Sequence, residues 1–150
     1  MGHFATGVTV ITTRHAAANH GMTANAVCSV SLDPLLVLVC VDKRAHSHGF
    51  LEASGCFAVN ILSEDQEHLS RWFANDERLS APDPFGDVAH RVGATGAPLI
   101  EGCLAHLDCR VAAQYDAGDH TIFIGQVVDA AIDGERRPLL FFKGRYARLG

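Results

Sequence analysis

Apolar and polar positions alternate along most of this 150-residue chain, in short runs broken by Gly, Asp, Asn and Pro. Residues 4–14 are rich in Thr, Val and Ile, the composition of a strand. The polar stretch HAAANHG, residues 15–21, then predicts a hairpin connection. In residues 23–31, TANAVCSVS, one face carries Ala24, Ala26, Cys28 and Val30 and the other Thr23, Asn25, Ser29 and Ser31. Val27 is the exception in an otherwise clean strand alternation. Leu35–Asp42 and residues 56–62 are continuous apolar runs, consistent with strands buried on both faces.

Two segments read as helices. HSHGFLEASG predicts one short helix stopped by Gly55. Ser63 and Gln66 form an S-x-x-Q capping box, and Leu69, Trp72 and Phe73 follow at helical spacing, so a helix should end near Asn75. Trp72 in that pattern reads as core rather than as a cofactor stacker. Residues 76–98 combine Pro, Gly and charge without periodicity and predict a long loop of the kind that serves function. Alternation returns over residues 105–115, GDH turns the chain into residues 121–132, DGERRP turns it again, and residues 139–149 form the last strand. Short strands, hairpin turns and few helices predict a mainly β fold, a small antiparallel barrel with helical insertions in one domain over residues 1–150. Strands and helices do not alternate regularly, which argues against a doubly wound sheet.

Composition narrows the class. Hydrophobic residues make up 48% and charged residues 19%, values of a soluble globular chain rather than a disordered one. A net charge of −5 speaks against general nucleic-acid binding, while leaving room for a local basic pocket. Five cysteines without a C-x-x-C pair, most in apolar runs, read as reduced thiols. No leader-like apolar segment and no run near the ~18 residues of a membrane span is present, so a cytoplasmic location with no membrane association is expected.

Three constellations carry candidate chemistry. Small side chains on residues 23–31 would let a flat ligand approach the backbone; the same alternation also suits any half-exposed strand. In DKRAHSHGF, Lys43 and Arg44 precede Ser47 and His48 at a predicted helix start, which suits an anion such as a phosphate. A solvated connection capped by Ser47 is the other reading. His46 and His48 at i, i+2 lack a third ligand at a metal-site spacing, so no metal is expected. In GDHTIFIGQV, His120 is either an ordinary surface histidine at a turn or an imidazole positioned at a pocket mouth by a carboxylate. Neither G-x-G-x-x-G, nor G-x-x-x-x-G-K-[ST], nor G-x-S-x-G occurs, so any nicotinamide would bind without a Rossmann fingerprint.

Taken in order, FATGVTVITT, GMTANAVCSVSLDPLLVLVCVDK, SGCFAVNIL, GDHTIFIGQV and PLLFFKGRY resemble the flavin reductase-like, FMN-binding split-barrel family. More narrowly, they are similar to the short-chain reductase components of two-component flavin monooxygenases. The resemblance implies a six- or seven-stranded split barrel acting as a homodimer, with FMN or FAD near the subunit interface. It further implies a hydride transfer from NADH or NADPH to the flavin, which then serves a separate monooxygenase. A non-catalytic flavin-binding module on the same barrel is the alternative. By the same resemblance, Thr23, Ala24, Asn25, Ala26 and Val27 would flank the isoalloxazine ring. Ser29 and Ser31 would reach toward the ribityl chain or phosphate, and Lys43, Arg44, Ser47 and His48 would meet the phosphate. His120 would lie beside the nicotinamide, in positioning and electrostatics rather than obligatory proton transfer, and Tyr146 with Arg145 would match the closing GRY. The helix that the family places ahead of FATGV is absent from this sequence, Asp33–Pro34–Leu35 stands for a more usual DPP, and His46 and His48 stand where hydroxyl residues are frequent.

Overall fold

The chain runs β1 (Thr6–Gly7), β2 (Thr9–His15), β3 (Ala18–Ala24), β4 (Val27–Leu32), β5 (Leu35–Asp42), α1 (His46–Ser54) and β6 (Cys56–Ile61). It continues through α2 (Glu67–Ala74), β7 (His90–Val92), β8 (Pro98–Ile100), β9 (Ala105–Ala117), β10 (His120–Ile132), β11 (Leu140–Phe142) and β12 (Arg145–Ala147). These elements come from a computed structural model describing residues 1–150.

Seven strands form one antiparallel sheet in the order β3-β2-β6-β9-β10-β5-β4. Its two edge strands, β3 and β4, are neighbours in the chain and separated only by Asn25 and Ala26. Two residues span less than ~11 Å even between flanking Cα atoms of extended chain, so the sheet must curl until its edges meet. The edges do not pair with one another. Ala26 instead offers its carbonyl to the Cys40 amide at 3.0 Å. The result is the expected split β-barrel with a few short helices.

Val10 and Ile11 show how the sheet sorts its two faces. Ile11 packs with Val39, Phe57, Val59 and Phe123 in one buried cluster, to which α1 adds Leu51. Val10 points the other way and joins Val8, Leu62, Phe73 and Phe85. α2 supplies Phe73 to this second cluster. A small sheet of β1, β11 and β12 lies at the chain's two ends. No helix is long and apolar enough to cross a membrane.

Several sequence expectations change in detail. The strand predicted over residues 23–31 is broken at Asn25–Ala26, because β3 pairs with β2 (Thr9↔Ala24) while β4 pairs with β5 (Val27↔Val39). Alternation persists through the break, so a period-2 pattern does not reveal a change of partner. The hairpin of residues 15–21 contracts to Ala16 and Ala17, at φ 51° and 64°. Two positive φ angles match the twist of a tight hairpin, which lets β3 begin at Ala18. The segment of residues 4–14 divides into β1 and β2, and that of residues 139–149 divides at a second such turn, Lys143–Gly144 with φ 51° and 74°.

The long loop of residues 76–98 holds a short 3-10 turn over Asp76–Ser80, buried Phe85 and Arg78, and the small hairpin of β7 and β8. The capping box at Ser63 and Gln66 is present and heads a 3-10 turn that leads into α2. α1 begins at His46 with Ala45 as its N-cap, so Ser47 lies in the first turn and not at the cap.

Candidate functional site

Asn25 stands where two cavities meet. One, of about 180 Å³, is lined by Thr23, Ala24, Asn25, Ser70, Phe141 and Tyr146, among others. The other, of about 370 Å³, includes Thr6, Asn25, Ala26, Val27, Cys28 and Cys40 in its wall. The break between β3 and β4 thus lines a two-part groove, with Ala24 in the first cavity, Ala26 in the second and Asn25 in both. Thr23 is tethered: its hydroxyl donates to the Ser70 carbonyl at 2.6 Å. The Ser70 hydroxyl in turn lies 2.6 Å from Tyr146 Oη, and the Arg71 guanidinium sits 4.8 Å above the Tyr146 ring. Tyr146 is thus fixed at the groove by α2, although it comes from β12 at the far end of the sequence.

A third cavity, of about 610 Å³, is lined by Asp42, Arg44, His46, Ser47, Asp76 and Arg78 among its residues. Met22 lines it as well, while the next residue, Thr23, lines the groove. Strand β3 therefore divides the two through its alternating side chains. No side chain caps α1; the Ala45 and His48 amides donate to the Asp42 and Ala45 carbonyls, which leaves the amides of His46 and Ser47 as the open donors of its first turn. Ser47, in that first turn, is buried against it.

The predicted cations are more occupied than the sequence suggests. Lys43 Nζ is paired with the Asp116 carboxylate. Arg44 reaches Asp42 through Nη2 at 3.1 Å and Nε at 3.3 Å, and its side chain is 84% exposed. The hydrogen bond from the Arg44 side chain, then that from its backbone N–H, pulls the Asp42 carboxyl down to about 2. His48 uses both ring nitrogens, Nδ1 at 3.0 Å from Glu52 Oε1 and Nε2 at 2.8 Å from Thr121 Oγ1. Lys43, His48, Ser29 and Ser31 do not line the three cavities; the two serines stand on β4 on either side of a bulge.

His120 opens β10 opposite Asp42 of β5. Its Nδ1 lies 2.7 Å from Asp119 Oδ1, and the Lys43 amide donates to the Asp119 carbonyl at 2.9 Å. Asp119 is therefore the group that orients the imidazole, a point that spacing alone leaves open. That hydrogen bond from His120 is the first cause holding the Asp119 carboxyl below its usual range. His120 lines none of these cavities; its link to the one lined by Arg44 and Ser47 is its cross-strand neighbour Asp42.

Ser70, Asp42 and Arg78 were not marked by the sequence. Arg78 alone had a signal, as an arginine in a long segment of suspected function. A larger cavity, of about 670 Å³, lies between α2 and the chain around Gly86, lined by Leu69, Trp72, Val88 and Ile100 among others. It contains no predicted site residue, and Gln66, His68, Asp87 and Glu101 form the polar part of its wall.

Residues 1–150 match the family model described as flavin reductase like domain. The chain belongs to the flavin reductase-like family. An NADH-dependent FAD reductase of Streptomyces globisporus is 46% identical over 149 residues, covering 99% of this chain and 81% of the relative. The reductase subunit of a flavin-dependent monooxygenase from Mycobacterium tuberculosis is 41% identical over 148 residues, covering 97% and 77%. The solved structure of the flavin reductase PheA2 superposes with a TM-score of 0.91 at 49% identity, covering 100% of this chain and 94% of that one. Membership in this family agrees with the split barrel.

Proposed function

We propose that this chain is an NAD(P)H:flavin oxidoreductase that reduces FMN or FAD and delivers it to a separate flavin-dependent monooxygenase. The observation that carries this reading is the groove floored by Ala24, Asn25 and Ala26 and walled by Tyr146, in a chain 46% identical to an FAD reductase. When bound there, a flavin supplies the ring that accepts a hydride from NADH or NADPH.

The protein's part is positioning. Ala24 and Ala26 keep side-chain bulk away, so backbone groups at the β3–β4 break can read the polar edge of a flat ring. Val27 and Thr23 flank them, and the Thr23–Ser70–Tyr146 chain of hydrogen bonds holds the wall rigid. The leading amides of α1 and the Ser47 hydroxyl suit a phosphate, because unpaired helix donors and the local dipole favour an anion. Of the cations expected there, Arg44 lines that cavity, while Lys43, His48, Ser29 and Ser31 would have to be recruited from outside it. His120, fixed by Asp119, orients the nicotinamide and adds a polar edge beside it without moving a proton. Hydride transfer needs aligned rings more than an acid or base.

In this reading the protein works as a homodimer. Val30, Leu32 and Leu35 expose apolar side chains on the outer β4–β5 hairpin, an unpaired sheet edge that a second copy would cover.

Anaerobic mixing of protein, FMN or FAD, and NADH or NADPH tests the assignment. Catalytic bleaching of the flavin absorbance is expected. Tight flavin binding without turnover would instead mark a non-catalytic binding module.

A further inference from the structure

The 670 Å³ cavity between α2 and the chain around Gly86 has the size of a small-molecule site, and the flavin reading makes no use of it. Its apolar wall is Leu69 and Trp72 of α2, Val88, and the fully buried Ile100 at the end of β8. Contacts outside any ligand hold that wall in place. Trp72 Nε1 donates to the Phe85 carbonyl at 3.1 Å, and the Glu101 amide donates to the Ala89 carbonyl at 2.9 Å. Gln66 is buried and fully occupied: Oε1 accepts from the Ser63 amide at 3.0 Å and Nε2 donates to the Glu101 carbonyl at 2.9 Å. Gly86 lies against the indole, where a Cβ would come within 3.1 Å of Trp72 Cζ2. A cavity braced in this way is formed before a ligand arrives, which lowers the cost of binding.

Three ionisable side chains complete the wall. His68, Asp87 and Glu101 are exposed, their side chains enter no hydrogen bond or ion pair, and no Lys or Arg lines the cavity. The contrast is with Asp42 at the neighbouring cavity, whose carboxylate is already met by Arg44. An apolar wall edged by unpaired carboxylates complements an organic cation and disfavours an anion. The Trp72 indole adds the aromatic surface that ammonium groups favour, and the His68 imidazole supplies a further polar group.

We propose that this cavity is a second ligand site, taking a small organic ammonium ion whose apolar body packs on Leu69, Trp72 and Val88 and whose charge is met by Asp87 and Glu101. It is separate from the flavin groove because α2 lies between them: Leu69 and Trp72 line this cavity, whereas Ser70 and Ala74 line the groove. The proposal therefore stands apart from the flavin reading and does not depend on it.

Trp72 is the only tryptophan in the chain, so its fluorescence reports on this site directly. Phenethylamine, 2-phenylethanol and phenylacetate share one apolar body and differ in charge. Phenethylamine should change the Trp72 emission saturably and bind at least about tenfold more tightly than 2-phenylethanol, the gain of a charge-assisted contact. Phenylacetate should bind more weakly than either. Asp87→Asn combined with Glu101→Gln should bring the amine to within about twofold of the alcohol, since only the charge is removed. Both carboxylates are exposed and unpaired, so the thermal melting of this variant should match the wild type. By calorimetry, saturating FMN should leave the affinity for phenethylamine within about twofold, as separate sites allow. Equal affinity for the three probes, no saturable change with the amine, or an amine affinity that survives in the double variant overturns the proposal. Displacement of phenethylamine by FMN would put the flavin in this cavity and overturn it as well.

Discussion

His120 Nδ1 is held 2.7 Å from Asp119 Oδ1, an oriented pair at the rim where β10 begins beside Asp42. A ring oriented by its neighbour presents Nε2 outward, where a nicotinamide amide could meet it. His120→Ala should raise KM for NADH or NADPH about tenfold, the scale of one good polar contact, with flavin Kd unchanged. Asp119→Asn keeps a hydrogen-bonding group and should cost less. The Asp119 carboxyl is held low, so the pairing is present above the ordinary carboxylate value and is lost as pH falls through the lowered one. Nicotinamide use should therefore fail in acid, not near neutrality. Steady-state constants that do not move in His120→Ala would remove this residue from the site.

His48 bridges α1 to β10, with Glu52 on one nitrogen and Thr121 on the other. Thr121 adjoins His120, so this contact ties the first turns of α1 to the start of β10, the two regions that the proposed function assigns to phosphate and nicotinamide. Thr121→Val leaves a half-buried imidazole nitrogen without a partner and should cost about 1–2 kcal/mol in urea unfolding, at unchanged m. It should also raise KM for the nicotinamide more than it lowers flavin affinity.

Most of the barrel is legible in the sequence because its strands are half-buried or fully buried runs whose period reflects the pleat directly. Leu35–Asp42 and Cys56–Ile61 lie where their apolar runs predict. Partner changes are not legible in this way: alternation crosses Asn25 and Ala26 without interruption, yet the chain there leaves one sheet edge for the other. The site divides along the same line. Thr23 to Val27 are contiguous and stand out as a small-residue run. Ser70 reaches the groove only through tertiary packing of α2, which no local spacing encodes. The charges of Lys43 and Arg44 are visible in sequence, but their neutralisation by Asp116 and Asp42 is not.

Gly125 is fixed by close approach. A Cβ there would come within 2.5 Å of Phe57 Cζ and 2.8 Å of Cys109 Cβ. Both neighbours are fully buried core groups, and Gly125 lies at a register shift between β9 and β10. Gly125→Ala should destabilise the fold by about 1–3 kcal/mol through overpacking, read as a lower urea midpoint. A stability equal to wild type would mean the sheet can shift locally to admit the methyl group.

Burial pushes the thiols of Cys103 and Cys109 up to about 12 from an ordinary value of 9.0. The unfolded chain releases these protons earlier, so their contribution to stability is complete below pH 9 and declines above it. Urea midpoints should fall as pH rises from 9 to 11. Iodoacetamide at pH 9, a value chosen from the ordinary thiol pKa, should label both residues in denaturant and neither in the native protein. Native labelling of Cys109 would show that the core opens readily.

Ala26 tests the groove as the place of the flavin ring. It is exposed at the β3–β4 break and lines the groove, so a longer side chain there meets space rather than core. Ala26→Leu should leave thermal stability close to wild type, as surface changes away from the core usually do. It should nevertheless exclude a flat ring from the groove, lowering riboflavin and FMN affinity together by at least about tenfold, a loss set by steric exclusion rather than charge. If Ala26→Leu left both affinities intact, the isoalloxazine would have to lie outside the groove between Thr23 and Cys40, and the 610 Å³ cavity beside α1 would be the next place to look.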